Sequence, residues 1–147
     1  MLKMLSARNV LFTVALALTA TVGASEDIAK ERSEMMKDVR NATKPVGAML
    51  RGDADFDPVQ LQASLAVYAD AGSRLGNLVP DGSQGGEAAP AIWEDPEGFK
   101  AAIEQWQDAT TAAMVADPQD LETAKPIVGA VLKNCKGCHD SYRIEDE

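Results

Sequence analysis

Apolar residues recur at steps of three and four along most of this 147-residue chain, the spacing of helices that bury one face. The first stripe holds Ile28, Met35, Met36, Val39, Val46 and Met49. A second holds Leu61, Leu65, Tyr68 and Leu75, and a third holds Phe99, Ile103, Trp106 and Ala113. The last runs through Val128, Val131, Cys135, Cys138 and Tyr142. Each of three Asp-Pro pairs (Asp57-Pro58, Asp95-Pro96, Asp117-Pro118) reads as a helix start. Aspartate caps the free amides there, and proline is tolerated at the first helical position. Gly52 and the acidic "DADFD" end the first stretch, and "VPDGSQGGEAAPA", residues 79–91, is a loop. Pro45 and Pro126 fall inside helical patterns, where proline is expected to bend or restart a helix. No strand alternation or internal repeat stands out. The fold expected is all-α, an antiparallel up-down-up-down four-helix bundle.

The first 24 residues do not join that pattern. In "MLKMLSARNV LFTVALALTA TVGAS", Lys3 and Arg8 precede an uncharged run from Val10 to Ala24, with Val22 and Ala24 at the −3 and −1 positions of a cleavage site. That is the layout of a secretory signal peptide. The run is shorter than the roughly 20 apolar residues a spanning helix needs. Residues 1–24 are therefore read as a cleavable leader and 25–147 as a single domain, with no stable membrane insertion after cleavage. Aromatics are only 5% of residues, which favours helices over a β-sandwich. The formal charge is −9, with 14 basic residues against 23 acidic. Loss of Lys3 and Arg8 leaves 12 against 23, or −11. An acidic exported protein without basic clusters is a poor partner for nucleic acid or an anionic membrane, and it steers basic proteins towards itself.

Chemistry concentrates in "NCKGCHDSYR", residues 134–143, where both cysteines and the sole histidine lie within five positions. A disulfide between Cys135 and Cys138 closes a very short loop and stabilises little. A thioredoxin-type dithiol is expected to open a helix after a strand, and zinc needs more ligands than these. Cys-x-x-Cys-His is the attachment signature of c-type haem. Two thiols add across the two vinyl groups of the porphyrin, and His139 is then held beneath the iron as an axial ligand. One haem c per chain accounts for all three residues. A haemless helical interaction protein with a redox dithiol is the reading from another class.

Three stretches together resemble the cytochrome c prime family, the class II c-type cytochromes. "ERSEMMKDVR" is similar to the family's first-helix pattern, "PDGSQGGEAAPAIWED" to its glycine-rich loop ending in Ile-Trp, and "CKGCHDSYR" to its Cys-x-x-Cys-His-x-x-Tyr-Arg ending, which contains Tyr142. The resemblance implies a periplasmic bacterial haem protein that meets redox partner proteins and forms a homodimer through its first two helices. It places Arg143 near the proximal side of the haem, one turn after His139, and places Arg32 and Trp93 near the haem edge or propionates. Without the resemblance, Trp93 reads equally as a loop anchor and Arg32 as a solvated helix residue.

Family members divide on what faces the iron opposite the histidine. Many place an apolar residue there and leave the iron open to small gases; others supply methionine. The matching position is Met36, four residues after Arg32. A helix starting near Asp27 puts Met36 about 13 Å in, and one ending near Ile144 puts His139 roughly 8 Å in from the same end. Met35, turned about 100° away, is expected to fill core. The expected function is a low-spin electron carrier with iron held by His139 and Met36, cycling between Fe(III) and Fe(II). The alternative is a five-coordinate protein that binds nitric oxide or carbon monoxide, with Met36 as a hydrophobic gate. No general base, nucleophile or substrate pocket stands out, so an enzyme is not expected.

Overall fold

The computed structural model describes residues 10–144, with side chains from residue 23 onward. Four long helices form the body: α1 Val10–Arg51, α2 Pro58–Leu75, α4 Pro96–Ala116 and α5 Leu121–Tyr142. Between α2 and α4 lie a 3-10 turn, Gly76–Leu78, and the one-turn α3, Ala91–Glu94, neither of which the apolar spacing announces. The described residues contain no strand, only an isolated antiparallel bridge between Ala88 and Arg143. The all-α four-helix bundle expected from the stripes is present. α2 and α4 run antiparallel across their long connection, for Gln62 near the start of α2 donates to the Met114 carbonyl near the end of α4.

Two of the three Asp-Pro pairs start helices as expected. The Asp57 carboxylate accepts from the amides of Val59 and Gln60, and that of Asp95 from the amide of Gly98. The third does not. Asp117 closes α4 in the left-handed region at φ 41°, with its amide bonded to the Ala113 carbonyl. Pro118 then cannot extend α4, and Asp120 caps α5 instead, accepting from the Thr123 amide at 2.8 Å. Pro45 and Pro126 restart nothing, for α1 and α5 continue through them. Gly52, at φ 80°, ends α1 in the conformation that glycine adopts most cheaply.

The core is the set of predicted stripes, with an informative remainder. Met35, Val39, Val46, Met49, Leu61, Leu65, Tyr68, Leu75, Phe99, Ile103, Trp106, Ala113, Val128 and Val131 are buried. Ile28, Met36, Cys135, Cys138 and Tyr142 are only half-covered. Ile28 and Met36 lie midway along α1, and the other three in the second half of α5. The reason lies in helix pairing: α1 packs along α2, α2 along α4 and α4 along α5, whereas α1 and α5 touch at only a few positions.

Residues 1–9 of the expected leader, Lys3 and Arg8 among them, lie outside the described residues; α1 runs from Val10 through Ala24, the expected cleavage point. The last three residues of the expected domain also lie outside them. No helix among the described residues is long and apolar enough to cross a membrane.

Candidate haem site between the first and last helices

Cys135, Cys138 and His139 fall within an arc of about 100° on α5, so one helix face presents two thiols and an imidazole together. Both thiols are free and half-buried, while His139 is exposed at its edge. Burial raises the Cys135 thiol above its usual value. Burial, with a smaller push from Cys135, raises Cys138 to about 11. Reactive dithiols need the opposite, a depressed thiol pKa, so the redox-dithiol alternative loses support. Partial desolvation, reinforced by the positive charge of Arg143, lowers His139 below the ordinary imidazole value, against smaller upward effects of Glu87 and Asp140. A neutral imidazole is the form that ligates a metal.

Across from α5, α1 carries Arg32, Met35 and Met36. The buried Met35 lines a groove between α1 and α2 together with Asp38, Ala42 and Val67. Met36 lies one residue further round, half-covered. Its neighbours on that side, Ala29 and Ser33, come close to Gly85 and Gly86 of the loop that leads to α3. The adjacent methionines therefore sit on different sides of α1.

The loop itself, residues 79–90, is tied to both helices. The buried Arg32 guanidinium donates to the carbonyls of Leu78 at 2.7 Å, Gly85 at 2.8 Å and Ser83 at 3.3 Å. It also lies 5.7 Å from the centre of the Trp93 ring. Burial lowers the Arg32 pKa, and its carbonyl partners compensate the desolvated cation. Trp93 donates its ring N–H to the Pro80 carbonyl at 3.1 Å, which is the contact of a loop anchor. Tyr142 donates to the Asp95 carboxylate at 3.0 Å and meets Phe99 edge-on at 5.2 Å, docking the end of α5 on the start of α4. Arg143 pairs with Glu87 at 2.7 Å.

The residues fit a flat, mostly apolar group bound through α5. The two thiols and the imidazole are the donor set of c-type haem, and Cys135 and Cys138 are only partly buried on a helix that touches its neighbour α1 at few positions. Two features escaped the sequence. Glu87 faces Arg143 across 56 positions, a pairing no local pattern carries. Tyr68, read only as core, donates its hydroxyl to Thr43 at 2.8 Å.

A family model described as Cytochrome C' matches residues 27–143. Cytochrome c' of Rhodopseudomonas palustris is 41% identical over 125 residues, which span 83% of this chain and 85% of that relative. A solved structure of cytochrome c' from Rhodopseudomonas palustris aligns with a TM-score of 0.78 at 40% identity, covering 82% of this chain and 98% of that one. A nitric oxide complex of a leucine-to-isoleucine variant of cytochrome c prime from Alcaligenes xylosoxidans aligns at 0.74 and 28% identity, covering 82% and 97%. These findings correct the expectation of an electron carrier whose iron is closed by His139 and Met36. Similarity to cytochromes c', one of them solved with nitric oxide bound, favours the gas-binding alternative.

Proposed function

Because this chain belongs to the cytochrome c' family, we propose that it is an exported, periplasmic haem c protein that binds small uncharged gases, nitric oxide and carbon monoxide among them. Cys135 and Cys138 would hold the haem through two thioethers, and His139 would supply a nitrogen ligand to its iron from α5. When bound, the haem would supply an iron able to take a diatomic gas. Met36 would act as an apolar gate rather than as a ligand. The Arg143 amide bonds to the His139 carbonyl at 3.2 Å, which keeps the last turn of α5, and with it the imidazole, in helical register. Family membership also supports a homodimer through α1 and α2, whose shared groove carries Met35, Ala42 and Val67.

The observation that carries this reading is the set of Cys135, Cys138 and His139 on one face of α5, beside α1, the neighbouring helix that α5 touches at only a few positions. Rapid mixing of the reduced protein with carbon monoxide tests it. The binding rate is expected to rise linearly with carbon monoxide concentration. A rate that levels off at a constant value is the signature of a protein ligand that must leave first, and it would reject an open iron.

A further inference from the structure

Segment 79–90 bridges α1 and α5 at the end of the bundle that bears His139, and its two attachments differ in kind. The inner one is buried: Arg32 holds the carbonyls of Leu78, Ser83 and Gly85, and Ser83 itself is 1% exposed. The outer one is open to solvent. Glu87 and Arg143 pair at 2.7 Å with side chains 62% and 40% exposed, beside amide bonds from Ile144 to the Glu87 carbonyl and from Ala89 to the Tyr142 carbonyl. At the outer edge of the buried attachment stand Gly85, whose carbonyl Arg32 holds, and Gly86, at φ 140° and φ 63°; without a Cβ, glycine is the residue whose backbone pivots most readily. Charge-assisted bonds to a buried guanidinium are strong, whereas an exposed ion pair contributes little and is screened by salt. The outer end therefore opens first, swinging about the glycines while Arg32 keeps the inner end in place.

We infer that Glu87 is a positioning residue for gas entry, whose ion pair with Arg143 latches segment 86–89 over the seam between α1 and α5. Release of the latch uncovers the side of the site that Met36 lines. The inference rests on the gas-binding reading, and its test separates the two. Carbon monoxide is uncharged, so salt does not alter its long-range approach to the protein. Its association rate with the reduced, haem-loaded full chain is measured at about 0.02 M and about 0.5 M salt, for the native protein and for Glu87→Gln. Hydrogen exchange of the Ala89 and Ile144 amides is followed under the same conditions. The native rate is expected to rise about two- to fivefold with salt, the range an exposed ion pair can supply. Exchange at both amides should rise with it, and Glu87→Gln should show the faster values at either salt. Native and Glu87→Gln proteins with equal, salt-independent rates and exchange would overturn the latch. Failure to bind carbon monoxide at all would instead count against the gas-binding reading, with amide exchange still deciding the latch.

Discussion

Arg32 turns its guanidinium on main-chain carbonyls rather than on a carboxylate. Replacing it with methionine keeps an apolar stem but leaves the Leu78, Ser83 and Gly85 carbonyls without their charged donor. Arg32→Met is expected to lower stability by about 3 kcal/mol, given that bonds to charged groups are each worth more than neutral ones; urea unfolding of the haem-loaded protein measures it. Little of this was legible in the sequence, because carbonyl acceptors belong to every residue and leave no pattern. The spacing of Cys135, Cys138 and His139 was legible as an attachment motif, since covalent attachment and iron ligation would need those types at that spacing whatever the surrounding fold. Met36 lies between these extremes. Its expected level assumed a helix starting near Asp27, whereas α1 starts at Val10, and whether sulfur bonds iron or only packs depends on distances between helices that one-dimensional spacing does not carry.

At the scale of elements, the junction of α4 and α5 shows how close packing selects residues that periodicity ignores. A Cβ on Gly98 would overlap the Asp95 carboxylate and stand 2.5 Å from the Tyr142 hydroxyl. That carboxylate both caps α4 and accepts from Tyr142. Gly98→Ala should therefore cost about 1–3 kcal/mol, the usual range for overpacking, read as a lower urea midpoint at unchanged slope. The four stripes gave the long helices because burial imposes its period on sequence. The third Asp-Pro pair misled because the same dipeptide serves a helix end as readily as a start. There Asp117 takes the left-handed conformation, and its carboxylate accepts from Gln62 at 2.8 Å, a contact with α2 that the local sequence does not announce.

For the molecule as a whole, one asymmetry organises the rest. Three neighbouring helix pairs close against one another, and the fourth, α1 with α5, is spanned instead by a loop clamped at Arg32 and latched at Glu87. The two thiols and the imidazole stand on α5, one of the two helices of that seam, so the least packed edge between neighbouring helices also carries the attachment motif. An all-helical class was readable from apolar spacing and low aromatic content. The choice between carrying electrons and binding gas was not, because both use the same helices and the same attachment motif and differ only in what fills the sixth position. The spin state of the ferric iron at neutral pH decides that choice most directly. The account predicts a high-spin, five-coordinate spectrum that Met36→Ala leaves unchanged; a low-spin spectrum that Met36→Ala converts to high-spin would contradict it.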